Sequence, residues 1–514
     1  MATPHGIPNP WNLKGQPLAF GQRLNATRDR ICDWLSTCLK EHKKCGPGPV
    51  SNLPTRVLDV GLVASDPIRL HTSRGEKARY ICLSYCWGGA QFIKTTNETL
   101  KRHETGIRFD QLPKAFQDTV AVARALGIRY VWIDSLCIIQ DDSADWAHES
   151  SRMADVYRRS YLTVAPAWAD SPFSGCFPPS DKGLKVQSVT VQQNFHFGET
   201  RFHRDFPLLS RAWTYQERLL SSRILYFSRQ ELIWDCRELR ECECGNDGKP
   251  GNVKSQELDK RKFYNRVLDQ ESPGYRAKDH GELWREMVTE YTTHSLTYLS
   301  DMLPAIQGLA AQMQSHRKSE YLAGLWRDTL IQDMCWQRAI NRSSRPLWVR
   351  TPQNQQQAPT WSWASVDSPV EFVRFYSQKN ALQYPLILDI QVQLPNLRTG
   401  QGRNGFIELD SSLVPFHLLD KSNTHFSQDS ILTVPDSGWD FYCQVDIKDA
   451  EYDSRECYLM PLLSADKRFY GLVVKPWNGS SEDMIRVGLV EKNHMKPAQI
   501  KALTNRRKRR IKLL

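Results

Sequence analysis

Between Tyr80 and Ala165 the sequence alternates short apolar runs with stripes of helical period, and this alternation constrains the fold more than any other feature. Tyr80–Ser84 is an apolar run ended by Trp87-Gly88-Gly89, which predicts a strand followed by a turn. Pro113 stands at the first position of a predicted helix that Gly127 closes, with Phe116, Val120 and Ala123 on one face. Arg129–Ile133 predicts a second strand. Asp142 or Ser143 caps a further predicted helix ending near Arg159, and Tyr161–Ala165 predicts a third strand. Strands separated by helices of this length need crossover connections. The expected fold class is therefore α/β, with a mainly parallel sheet and flanking helices.

The chain has 514 residues, more than one core usually organises, so two or three domains are expected. Residues 1–79 read as an N-terminal extension, Pro/Gly-rich and poorly ordered over 1–22, with a helix over Asp29–Lys43 whose stripe is Ile31, Leu35, Cys38 and Leu39. The α/β core is expected over 80–237. Within it, a polar insertion ending near Asp205 carries a strand around Val186–Val191. Ala212–Leu220 reads as a short helix, and Arg223–Phe227 with Glu231–Cys236 as a hairpin. The charged, Gly-rich stretch 238–256 marks a boundary. Residues 257–514 read as a mixed α+β region, helical over Glu282–Gln314 and strand-like at Leu386–Val392 and Tyr470–Val474.

The net charge of +11 is concentrated at the end of the chain. Residues 501–514 hold seven Lys and Arg and no acid; without them 61 basic residues face 57 acidic ones. The body is nearly balanced, so the pI says little about partners; with no concentrated basic surface outside the short tail, nucleic acid is not expected as one. The tail Arg506–Arg510 matches a nuclear-localisation or polyanion-binding patch, and equally a solvated, disordered end. No run approaches the roughly eighteen apolar residues of a membrane-spanning helix. Met1–Pro10 lacks the basic flank and apolar core of a secretory leader, so an intracellular, cytoplasmic and reducing setting is expected, with the 13 Cys mostly free thiols.

In open parallel sheets ligands collect at the carboxyl ends of the strands. There the first strand runs into Ser84-Tyr-Cys-Trp-Gly-Gly and the second into Asp134-Ser-Leu-Cys-Ile-Ile-Gln-Asp-Asp. Ser84, Trp87, Gly88, Asp134, Cys137, Gln140 and Asp142 are thereby candidates for a shared rim. Asp142 is better read as a helix cap; Asp134 divides evenly between a site residue and a bond to turn amides.

Glu149 falls on the apolar stripe of Trp146, Met153, Val156 and Tyr157 rather than opposite it. A carboxylate there must be paired, protonated or lining a cavity, because burying an unpaired charge is costly. It is a candidate general acid or base, or a ribose-binding group. The alternatives are a pair with Arg124, Arg129 or Arg152, or a position at the open edge of the stripe. Further on, Trp213, Gln216 and Glu217 occupy neighbouring helical positions. Glu217 either faces the same rim or pairs with Arg218 or Arg223.

Cys38, His42 and Cys45 form a Cys-x3-His-x2-Cys set preceded by Cys32, but the spacing is irregular for zinc, and no metal is assigned. Cys242 and Cys244 are too closely spaced for the usual zinc pair. Cys137 has no His beside it in sequence to serve as a base, and reads as a buried thiol. There is no Walker loop, dinucleotide fingerprint, His-Glu-x-x-His or nucleophile elbow, which argues against the common ATPase, dehydrogenase, zincin and lipase classes.

Several blocks together resemble the fungal heterokaryon-incompatibility (HET) domain family. They are Tyr80–Gly88, Leu112-Pro-Lys through Gly127-Ile-Arg-Tyr, Trp132–Asp142, Asp145-Trp with Glu149, Met153 and Tyr157, and Trp213–Leu220. Leu53–Val60, Asp301-Met-Leu-Pro-Ala, Tyr321–Asp328 and Pro359–Asp367 are similar to the family's flanks. One departure is Arg211-Ala-Trp, where Arg-Gly-Trp is more usual. The resemblance implies a filamentous fungus, a role in nonself recognition where incompatible fusion triggers programmed cell death, and a protein partner in that signalling. Family members are distantly similar to TIR domains, some of which cleave NAD through a glutamate. This implies a Rossmann-like or TIR-like core, a nucleotide as candidate ligand, and catalytic roles for Glu149, Asp134 and Glu217, with Ser84, Trp87, Gly88, Gln140 and Trp213 as ligand contacts. The alternative is an enzyme acting on a nucleotide such as NAD or on a fungal secondary-metabolite intermediate. No cofactor is assigned.

Overall fold

The apolar run at Tyr80–Leu83 is buried at every position, as expected of a strand covered on both faces. It sits at the centre of a sheet that has eight strands among the described residues, in a computed structural model of the chain. The structure describes residues 20–46, 48, 50–178, 206–229, 231–243, 260–269, 280–339, 358–374, 381–393, 404–418, 429–435, 439–446, 456–465 and 467–514. The chain forms two units, residues 1–276 with 304–312, and residues 277–303 with 313–514.

In the first unit the elements run α1 (Phe20–Glu41), β1 (Arg56–Asp59), β2 (Arg69–Thr72), β3 (Tyr80–Leu83), α2 (Lys114–Ala125), β4 (Tyr130–Trp132), α3 (Asp134–Cys137), α4 (Ser143–Arg159), β5 (Leu162–Pro166), α5 (Ala212–Leu220), β6 (Arg223–Phe227), β7 (Leu232–Cys236) and β8 (Arg240–Cys242). The sheet order is β8-β7-β6-β5-β3-β4-β1-β2. The central strands β4, β3, β5 and β6 pair in parallel. The expectation of a mainly parallel sheet needs correction at both edges. There β1 joins β4 and β2 antiparallel, and β6, β7 and β8 continue as an antiparallel meander. Hairpin-length connections permit only antiparallel neighbours, which explains β6 to β8.

From β3 the chain crosses to β4 on one side, and from β4 back past β3 to β5 on the other. Right-handed crossovers in opposite directions place α2 and α4 on opposite faces. Both helices carry their apolar stripe inward. Phe116 and Val120 of α2 are fully buried, and Tyr157 of α4 packs edge-on against Trp132 with ring centroids 5.6 Å apart. Truncating Phe116 to Ala would cost about 3–5 kcal/mol by the usual core penalty. Asp142 caps α4, accepting from the amides of Ala144 and Asp145. Pro113 stands one residue earlier than expected, at the N-cap of α2. At the N-terminus, α1 starts at Phe20, inside the stretch expected to be poorly ordered.

In the second unit an eleven-stranded sheet, counted among the described residues, is antiparallel except where Asp483–Lys492 meets Lys508–Leu513. The single helix expected over Glu282–Gln314 is two, His280–Tyr291 in the second unit and Pro304–Arg317, of which residues 304–312 count with the first; Pro304 lacks the amide to continue a helix and opens the second helix instead. The basic tail is not a disordered end. Lys508–Leu513 is a strand paired with Asn404–Ser412; Ile511 and Leu513 are buried while Arg506 to Arg510 are exposed. The strand expected around Val186–Val191, and Cys244, lie outside the described residues.

Candidate functional site

The order of the parallel strands reverses direction at β3, so the crevice beyond the carboxyl ends of β3 and β5 is where an α/β sheet of this kind offers a site. Ser84 directly follows β3. Its hydroxyl donates to the carboxylate of Glu217, which reaches the rim from α5 across 133 residues of sequence. Both residues are buried, and both line a small cavity with Thr163, Thr214, Arg218 and Tyr226 that has room for about one water molecule. Thr163 is a polar residue within an otherwise apolar strand. Its hydroxyl lies 2.9 Å from that of Ser221, which donates to the Glu217 carbonyl at 2.8 Å.

Burial pushes the Glu217 carboxyl up to about 7, and the nearby negative charge of Asp134 adds to the rise; the Ser84 hydrogen bond and the Arg211 guanidinium oppose it. A carboxyl with that affinity exchanges its proton near neutrality, which suits general acid or base work at a group held beside Ser84. Asp134, half-buried, is raised by burial and held by hydrogen bonds from its surroundings. It divides its oxygens: one accepts from the Trp87 indole at 2.9 Å, the other from the Ser135 amide at 2.7 Å. Asp134 thus bonds a turn amide and also fixes the orientation of Trp87. Lys94 stands over the Trp87 ring at 4.5 Å, a cation–π contact on the rim.

Glu149 is 2 % exposed, and its Oε1 has no hydrogen-bond partner among the described residues. The exposed His148 imidazole lies 3.8 Å away. None of the arginines weighed as its partner pairs with it. Arg124 donates to the Val60 and Asp66 carbonyls, Arg129 binds Asp59, and Arg152 donates to Thr55. Nor does Glu217 form a surface pair: it is turned inward to Ser84, while Arg223 donates to Cys38, Cys45 and Gly46.

Other candidates go elsewhere. The Gln140 side chain donates to the carbonyls of Asp134 and Ile138 and closes the turn after α3. Trp213 packs edge-on against Trp146, with centroids 6.5 Å apart. Gly88 has φ +64°, and a Cβ there would lie 2.7 Å from the Asp170 carbonyl oxygen; glycine is required for this close approach. Cys137 is a buried free thiol. Two residues of the rim were not singled out from sequence. Arg211 donates to the Tyr85 carbonyl at 2.7 Å, and Thr163 was marked only by its polarity among Leu162, Val164 and Ala165.

Residues 80–217 match the family described as Heterokaryon incompatibility protein (HET), a span running from the first residue of β3 to Glu217. No curated protein and no solved structure matches the chain.

Proposed function

We propose, on the premise that residues 80–217 form a HET domain, that this chain serves heterokaryon-incompatibility-type nonself recognition as an effector of cell death. The observation that carries the reading is that the family span closes on the rim itself: it begins with the strand leading into Ser84 and ends at the Glu217 that Ser84 binds. A partner protein would trigger the response. Inducible expression of the full chain in a filamentous fungus tests it. Growth arrest and death at moderate soluble levels are expected; unaffected growth at high soluble levels would overturn the reading.

A second reading follows from the affinity of Glu217. A buried carboxyl that titrates near 7 beside a serine hydroxyl suits chemistry on a nucleotide such as NAD, in the manner of TIR domains, or on a metabolic intermediate. A cavity holding about one water means that such a ligand must enter by displacing the Pro207–Ser210 turn or the side chains around it. Incubating purified protein with NAD and following nicotinamide release tests the NAD form, and no turnover by folded protein removes it.

Among the described residues no helix is long and apolar enough to cross a membrane. We place the protein inside the cell, with nuclear entry through the exposed Arg506–Arg510. Because this stretch leads into a paired strand, substituting Arg506 and Arg507 by Ala is the test, and an unchanged cellular distribution would exclude the nuclear route.

A further inference from the structure

Three cysteines and a histidine of the first unit meet away from the rim. The Cys38 Sγ, Cys45 Sγ and Cys236 Sγ atoms and a ring nitrogen of His42 all lie within 4.8 Å of one another. Cys38 and His42 stand one helical turn apart at the end of α1, where the His42 amide donates to the Cys38 carbonyl at 3.2 Å. A tight turn, Lys43–Cys45, then swings Cys45 back beside them. The fourth group comes from the last residue of β7, 194 positions after His42, with Cys236 Sγ 3.3 Å from His42 Nδ1. The three thiols are free and buried, and His42 is half-buried.

We propose that Cys38, His42, Cys45 and Cys236 bind a structural zinc ion. Tetrahedral zinc with sulfur at about 2.3 Å and nitrogen at about 2.0 Å sets its ligand atoms about 3.5–3.8 Å apart, and a cluster of this size closes onto that geometry with small side-chain rotations. A disulfide would use two of the thiols and strand the third beside an imidazole; one metal ion uses all four groups. Four protein ligands leave no open position, so the site is structural rather than catalytic.

The surroundings fit a thiolate-rich metal centre. Three thiolates and a neutral imidazole around a dication carry one net negative charge. Arg223, fully buried, sets its guanidinium against it, donating from Nε to Cys38 Sγ at 3.2 Å. The same guanidinium donates to the Cys45 and Gly46 carbonyls and so holds the ligand turn in place. The Leu239 amide donates to Cys236 Sγ at 3.3 Å. Such outer contacts orient ligands and favour the thiolate. Binding would release three thiol protons to solvent, with no redox step, and would tie the end of α1 to the antiparallel edge of the sheet.

Elemental analysis of the untagged full chain, purified from zinc-supplemented cells, tests the site. About one zinc per chain is expected, with Cys236→Ser and His42→Ala each losing it, while His42→Cys and Cys32→Ser retain it. Cobalt(II) added to the metal-stripped chain should show thiolate-to-metal charge transfer and the intense bands of a tetrahedral ion. Folded wild-type protein without zinc and without that cobalt spectrum would overturn the proposal. So would zinc that survives both Cys236→Ser and His42→Ala. If Cys236→Ser proves insoluble, His42→Ala and the cobalt titration decide, since His42 is half-exposed.

Discussion

Two buried charged clusters, one in each unit of the chain, are held in opposite ways. In the second unit Arg486 is fully buried, and all three of its nitrogens donate hydrogen bonds. Its Nε donates to Asp446 at 2.7 Å and Nη2 to the same carboxylate at 3.1 Å, while Nη1 reaches the Met334 carbonyl at 2.6 Å and Nη2 the Trp336 carbonyl at 2.5 Å. The guanidinium also lies 3.6 Å from the centre of the Trp336 ring. In the first unit Glu217 and Asp134 are acids that raise each other's cost of ionisation, and Glu217 has a serine hydroxyl rather than a cation for its bonded partner. Glu149 keeps an oxygen with no hydrogen bond among the described residues. A satisfied ion pair organises structure; acids held short of satisfaction are what a reacting or binding surface retains.

The largest expected effect is at the satisfied cluster. Asp446→Ala leaves a buried guanidinium without its carboxylate and should cost about 3–5 kcal/mol in chemical denaturation, whereas replacing both partners by apolar residues should cost much less. A small cost for the single change would erase the contrast between the two clusters.

Next comes Glu217, whose sign is opposite to that of a salt-bridged acid. Its affinity is raised from 4.5 to about 7 in the folded chain, so the unfolded chain loses its proton first as pH rises. Between those values folding binds a proton, and stability falls with increasing pH by a total on the order of 3 kcal/mol. Glu217→Gln should remove this component and stabilise the first unit above pH 7 relative to wild type, measured by thermal melts across pH. An unchanged slope would place Glu217 among the satisfied groups.

Gly88→Ala forces a side chain into a left-handed position against the Asp170 carbonyl and should cost about 1–3 kcal/mol without altering the pH slope. Asp142→Ala removes the cap of α4 and should cost about 1 kcal/mol, again independent of the rim acids.

Much of the central fold was legible because a parallel strand buried on both faces leaves an unbroken apolar run, as at Tyr80–Leu83, and because α2 and α4 carry apolar stripes. The antiparallel edge at β1 was not. Arg56-Val-Leu-Asp is fully buried yet half charged; Arg56 is neutralised by Asp145 and Asp59 by Arg129, partners 89 and 70 residues away. At the rim, Ser84, Asp134 and Glu217 were visible as residue types in suggestive places, but the Ser84–Glu217 bond depends on how α5 packs, which no local pattern encodes. Gln140 and Trp213 share those motifs and serve the turn and the core instead. Cys236 had no spacing relation to Cys38, His42 and Cys45, so the fourth member of that cluster emerged only with the fold. In the tail, buried Ile511 and Leu513 alternate with charged residues; the two-residue period of a strand was there, masked by the run of Arg and Lys.

On the proposed function, the acid beneath Ser84 serves the response of the cell rather than the architecture of the fold. Expressing wild-type chain and Glu217→Gln in the same fungal host, at matched soluble levels, tests it most directly. Cell death is expected with wild type and normal growth with Glu217→Gln, although the variant folds and is at least as stable above pH 7. Equal killing by both would contradict it.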